Sequence, residues 1–130
     1  MFQGAVDVAT EMMGKVGTIK NQRDNRRVRI ANFFDKVGVC LEKILEAVNA
    51  NQTFDDHIEE IEMYVDAFSS AVGDIIGFEL SDRLVELLRT ALDEKNFKTF
   101  ASLSGVELDA NKKTLKEASD KFIDLWSALK

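Results

Sequence analysis

Apolar residues recur along most of this chain at steps of three and four, the period that gathers them on one side of a helix. The first long stripe is Ile30, Phe33, Phe34, Val37, Leu41, Ile44, Leu45 and Val48, and it predicts a helix from near Arg23 to near Asn49. The second is Phe54, Ile58, Ile61, Val65, Phe68, Val72, Ile75 and Ile76. Thr53 or Asp55 is its expected N-cap, because a side-chain oxygen there can accept a bond from an orphan amide. Gly77 is its expected stop, since glycine enters the left-handed region at little cost. The third stripe, Leu80, Leu84, Leu87, Leu88, Ala91 and Leu92, is broadened by Val85 and predicts a helix that touches more than one neighbour. After a break at Asp93–Asn96, Phe97, Phe100 and Leu103 predict a short helical turn. The last helix follows Gly105, with Asp109 as expected cap and Leu115, Ala118, Phe122, Leu125, Trp126 and Leu129 as its stripe.

The connections between these helices are short, which favours antiparallel neighbours. The expected fold is therefore all-α: an up-and-down four-helix bundle over residues 23–130, with an additional N-terminal amphipathic helix inside 1–22, in one domain overall. Its expected core is Phe33, Val37, Leu41, Ile44, Ile61, Val65, Phe68, Val72, Leu84, Leu87, Phe122 and Trp126.

The N-terminal segment differs in kind. Phe2, Ala5, Val6, Ala9, Met12, Met13, Val16 and Ile19 would share one broad face of a helix running over residues 2–19. Gly4, Gly14 and Gly17 each weaken that helix by roughly 1 kcal/mol relative to alanine. An apolar stripe of this size is more than monomers usually leave exposed. It is expected to be covered, either by the bundle or by a second copy of the chain.

Composition supports a globular helical domain. The 130 residues contain 45% apolar and 31% charged side chains and no proline, which a bundle with short links tolerates and a turn-rich β fold does not. The net charge of −6 argues against nucleic acid as a partner. Its distribution is uneven. Residues 1–52 carry 8 basic and 6 acidic side chains, residues 53–96 carry 3 and 12, and residues 97–130 carry 6 and 5. An acidic middle thus lies between two mildly basic flanks. The first residues lack a charged stretch followed by an unbroken apolar run, and no run approaches a membrane span, so a cytoplasmic location is expected.

Candidate chemistry is sparse. The single histidine, His57, has no glutamate three residues before it, so the Glu-x-x-His pairs of a di-metal bundle are missing and no metal is expected. Glu59, Glu62 and Asp66 read as a solvated acidic face. Cys40 reads as a half-buried structural thiol, with nothing to activate it. Gly14-Lys15-Val16-Gly17 lacks the spacing of a phosphate loop. No catalytic residue and no cofactor are expected. Tyr64 is expected to be half exposed, and Met63 to point away from the core among acidic neighbours.

Several runs together resemble a known family. Arg26-Arg27-Val28-Arg29-Ile30-Ala31-Asn32-Phe33-Phe34, followed by Val39-Cys40-Leu41-Glu42-Lys43-Ile44, resembles the opening helix of a cyanobacterial small helical-bundle domain. Glu60-Ile61-Glu62-Met63-Tyr64 and the glycines Gly73 and Gly77 are similar to later steps of the same family, as are the spaced glycines from Gly4 to Gly17. Where the family often has a proline-histidine-cysteine turn, this chain has Thr53-Phe54-Asp55-Asp56-His57. Such domains occur alone or attached to NTPase, caspase-like or TIR-type modules of bacterial conflict and cell-death signalling. The resemblance implies a non-enzymatic adaptor acting through protein contacts, and it implies no catalytic residue.

The expected function is accordingly a protein–protein interaction module, acting on a partner protein or by self-association as a homodimer. The candidate surface is Phe2, Val6, Met12, Met13, Arg26 and Arg27 at the N-terminal end, with Glu59, Glu62, Met63 and Asp66 on the second long helix. The alternative is a membrane-acting bundle that uses the N-terminal segment with Arg26, Arg27 and Arg29 against an anionic leaflet.

Overall fold

A computed structural model describes residues 1–130, and the chain is all-helical. Six helices are nine residues or longer: α1 (Gln3–Met13), α3 (Asp24–Asn49), α4 (Asp55–Ile76), α5 (Phe78–Ala91), α6 (Glu94–Ser102) and α7 (Gly105–Leu129). A five-residue helix, α2 (Val16–Lys20), joins α1 to α3. No helix is long and apolar enough to cross a membrane.

The long helices follow the apolar stripes, but their ends are made differently from the expected caps. At the start of α4 the cap position is Phe54 and no side chain bonds there, while Asp55 already lies in the first turn. The start of α7 is at Gly105, so Asp109 sits inside the helix and not at its cap. Asp93 is a true cap, accepting the Asn96 amide at 2.7 Å and opening α6. Gly77 ends α4 as expected. It has φ +93° and ψ 137°, a conformation that side chains resist, and α5 begins at the next residue.

The neighbour relations change the architecture. The pairs that pack are α1 with α5, α5 with α4, α4 with α3, α3 with α7, and α7 with α1. These five helices form a ring in which α1 stands between α5 and α7. The N-terminal helix is therefore a wall of the bundle and not an addition to a closed set of four. Numbers rise on one helix as they fall on its neighbour, Glu11 by Arg83 and Gly4 by Ala91, Asp66 by Arg89 and Ser69 by Asp82, Arg26 by Asp74 and Cys40 by His57, Phe34 by Phe122 and Gly38 by Ser119, so α1/α5, α4/α5, α3/α4 and α3/α7 are all antiparallel. A ring of five cannot alternate throughout, and the remaining pair, α1 with α7, runs parallel.

This ring explains the two short helices. Direct links suffice between the ring neighbours α3 and α4, and α4 and α5. The other two connections join helices that are not neighbours, so they must cross an end of the bundle. The first, α2, passes over one end, touching α7 and α4 and burying Ile19. At the other end α6 buries Phe97 and Phe100. Phe2 packs on both, with ring centroids 5.3 and 5.2 Å away, and Phe54 reaches Phe97 at 6.1 Å.

One core of 32 buried residues runs from Phe2 to Leu129. The division at residue 22 is therefore not a boundary in the packing. The N-terminal segment is also not one helix: it breaks after Met13, and the turn at Gly14 and Lys15 redirects Val16–Lys20 across the bundle end. Of the expected core, Leu87 and Trp126 are half-buried. Trp126 lies at the edge of α7, where Lys130 sits 4.3 Å over its ring. The largest fully buried side chains outside that expectation are Phe34 and Ile30 on α3, and Phe2, Met12, Ile19, Phe97 and Phe100 from the inserted wall and the crossing helices.

Candidate interaction surface

The side chains named from the sequence fall into three places. Phe2, Val6 and Met12 are in the core, at 0%, 4% and 0% exposure, so they offer no surface. The reason is the ring: the face of α1 that carries them is the one turned inward between α5 and α7. Met13, one step beyond, is exposed.

Arg26 and Arg27 part company, since consecutive residues on a helix point about 100° apart. Arg27 turns back along α3 to Asp24 at 3.4 Å. Arg26 reaches across to α4 and bonds Asp74, and this contact holds the Asp74 carboxyl below its usual range. The basic stretch thus meets α4 at its C-terminal end and not at the acidic face.

Arg26 belongs to a groove along the α3/α4 seam. Its first part, of about 590 Å³, is lined by Gln22, Arg23, Asn25, Arg26, Arg29, Ile30, Ser70, Ala71 and Asp74. A second part, of about 470 Å³, continues it past Arg29, Asn32, Phe33, Lys36, Tyr64, Ala67, Ser70 and Ala71. The two share Arg29, Ser70 and Ala71. The α3 side supplies long basic side chains and the α4 side supplies the small residues Ala67, Ser70 and Ala71, which is why a depression exists there. Asp74 is the one acid in the lining, and it is already paired with Arg26. Arg23, Arg29 and Lys36 are exposed and form no ion pair.

The neighbouring stripe of α4, turned toward α5, is acidic. Glu59, Glu62 and Asp66 are exposed there, with Met63 beside them at 69% exposure. Asp66 pairs with Arg89 of α5 at 3.2 Å, and both side chains are more than half exposed, so the pair adds little stability. Glu59 and Glu62 have no cationic partner. Of the ten residues named from sequence, Phe2, Val6 and Met12 form a buried wall, Arg26 enters the basic groove, Glu59, Glu62, Met63 and Asp66 form an acidic ridge, and Met13 and Arg27 belong to none of these.

The groove residues Arg23, Arg29, Lys36, Ala67, Ser70 and Ala71 were absent from the sequence-based set. Their signal was present: Ala67, Ser70 and Ala71 recur at helical spacing on a flank of α4 next to its apolar stripe. That spacing alone does not say which neighbouring helix faces the small flank.

Cys40 and His57 do come together, through the backbone. The thiol donates to the His57 carbonyl oxygen at 3.0 Å. Burial pushes the Cys40 thiol up to about 12, the reverse of activation. No three His, Cys, Asp or Glu side chains converge in a metal-holding group.

Together the fold and this surface define an all-α bundle with a basic groove and an acidic ridge on neighbouring stripes of one helix. No family model, curated protein or solved structure matches the chain.

Proposed function

We propose that the chain is a non-enzymatic protein-interaction module, an adaptor of the bacterial signalling or cell-death type, that receives an acidic segment of a partner protein in the α3/α4 groove. The observation that carries this reading is the groove itself, with Arg23, Arg29 and Lys36 unpaired above a floor of small residues. Small floor residues let a partner backbone approach closely. Unpaired arginines reward carboxylates with charge-assisted bonds. The adaptor role rests on the family resemblance, and the cytoplasm is its natural setting. The four-helix arrangement of that family would correspond here to α3, α4, α5 and α7, with α1 inserted.

The membrane-acting alternative draws on the apolar face of residues 2–19, and Phe2, Val6 and Met12 of that face lie in the core. Freeing them would require opening the ring.

The test is fluorescence anisotropy with labelled peptides of about 15 residues, one acidic, one neutral and one basic. The acidic peptide should bind best, should weaken with salt, and should lose at least about tenfold in affinity against the Arg23→Gln, Arg29→Gln variant, given the roughly 1.5–3 kcal/mol of a hydrogen bond to a charged group. Equal binding of all three peptides, or no effect of the substitutions, would reject the groove as the site.

A further inference from the structure

We infer that the acidic segment received by the groove is the ridge on α4 of a second copy of this chain, so that copies join head to tail. This deepens the reading of the groove above and rests on it.

The charges match in sign and spacing. The ridge offers the unpaired Glu59 and Glu62, with Asp66 held only in an exposed pair with Arg89, and the groove offers the unpaired Arg23, Arg29 and Lys36 beside the Arg26–Asp74 pair. Glu59 and Asp66 stand seven residues apart on α4, and Arg29 and Lys36 stand seven apart on α3. At the rise of a helix both separations are about 10 Å. Two carboxylates of one copy can therefore face two cations of the other with the helices laid side by side.

There is also an apolar match. Met63 projects from the middle of the ridge, among Glu59, Glu62 and Asp66, and is 69% exposed. The second part of the groove contains Phe33, Tyr64, Ala67 and Ala71, an apolar patch between Arg29 and Lys36. A methionine is unbranched and flexible enough to fill such a shallow hollow.

Groove and ridge lie on neighbouring stripes of the same helix, with Ala67 one turn beyond Met63 and Ser70 one turn beyond Asp66. The groove flank faces α3 through Arg26 and Asp74, and the ridge flank faces α5 through Asp66 and Arg89. The contact joins two different patches, so copies added head to tail form an open chain or, where the rotation between them allows, a ring. Exposed charges dominate it, and it is weakened by salt.

The experiment is sedimentation of the full chain over a range of concentrations in about 50 mM and about 500 mM salt, where screening lengths differ severalfold. The expected result at low salt is a mean mass that rises past the dimer, with association at least tenfold weaker at high salt. Two surface variants follow: Arg23→Gln with Arg29→Gln blocks the groove, and Glu59→Gln with Glu62→Gln blocks the ridge. Each alone should be monomeric. Mixed, they should form a one-to-one dimer and nothing larger, because only one intact groove and one intact ridge are available. Unchanged melting points for both variants show that the surfaces were altered and the fold was not. A chain that stays monomeric at low salt, a plateau at the dimer, or assembly that ignores both variants would overturn the inference. If the monomeric chain still binds the acidic peptide in a manner sensitive to Arg29→Gln, the self-assembly fails and the groove reading stands. If that binding is also absent, both fail.

Discussion

Ser119 Oγ donates a buried 2.8 Å hydrogen bond to the Gly38 carbonyl oxygen, tying α7 to α3 at mid-length. The two helices are close enough there that a Cβ on Gly38 would come within 2.7 Å of Ile123 Cγ1 and 3.1 Å of the Ser119 carbonyl oxygen. Gly4 plays the same part for α1, where a Cβ would meet the Leu87 carbonyl oxygen at 3.0 Å and the Ala91 Cβ at 3.1 Å. A glycine that lowers local helix propensity thus permits the backbone approach that seats the helix in the ring.

Gly38→Ala is expected to destabilise the protein by about 1–2 kcal/mol. Helix propensity alone would favour alanine by about 1 kcal/mol, but overpacking costs about 1–3, and part of the clash is with rigid backbone. At Gly17 a methyl group would meet nothing within 4 Å, and the backbone has no positive φ, so Gly17→Ala should be neutral or stabilising by up to about 1 kcal/mol. Urea denaturation of both variants checks the opposite signs, and a stabilised Gly38→Ala would refute the close approach.

The end cap orders the aromatic substitutions. Phe97→Ala should cost about 3–5 kcal/mol, because a fully buried ring leaves a cavity between Phe2 and Phe54. Trp126→Ala should cost less, since the indole is half-buried under Lys130. Thermal melts that reverse this order would contradict the placement of α6.

Deleting residues 1–14 removes a wall of the ring. The deletion uncovers Phe97, Phe100, Leu87 and Ala91, and abolishes the Glu11–Arg83 pair. At about 1.5–3 kcal/mol for each large apolar side chain taken from the core, the loss of Phe2, Val6 and Met12 approaches the whole stability of a domain this size. The truncated chain should lose its cooperative melt by circular dichroism. A sharp transition at the parental temperature would show that α1 is dispensable.

Alkaline pH should destabilise the fold through Cys40. Its thiol is pushed from 9.0 to about 12, chiefly by burial and then by the Glu60 charge. Below pH 9 the thiol is protonated in both states and contributes no pH dependence. Between about pH 9 and 12 the unfolded thiol ionises and the folded one does not, so stability falls as pH rises. Tyr64, raised from 10.0 to about 12 by burial and by its bond to Glu60, adds a descent above pH 10. Urea midpoints measured from pH 8 to 11 should fall less steeply in Cys40→Ala. The thiol should also react with a disulfide reagent only after denaturant is added.

The sequence by itself determined the long helices α3, α4, α5 and α7. The spacing of Ile30 to Val48 and of Ile58 to Val72 fixes which side of α3 and α4 turns inward, because a helix presents every third or fourth residue to one side whatever its neighbours are. Gly77 marked a helix end for a similarly local reason. Ring order was decided by tertiary packing alone. Nothing in the period of Phe2, Val6 and Met12 tells whether that face meets its own bundle, a second copy or a lipid. The answer came from the gap between α5 and α7, which Gly4 is small enough to enter. The groove follows from the same step: Arg29 and Lys36 lie on one helix and Ala67 and Ser70 on another. Their meeting depends on the rotation of α3 against α4, set by how Phe33, Phe34 and Phe68 stack across the seam, at 5.7 and 6.4 Å from Phe68. Helix faces are a property of nearby residues along the chain. A surface shared by two helices is a property of their packing, and the energy that fixes it comes from core side chains far apart in sequence.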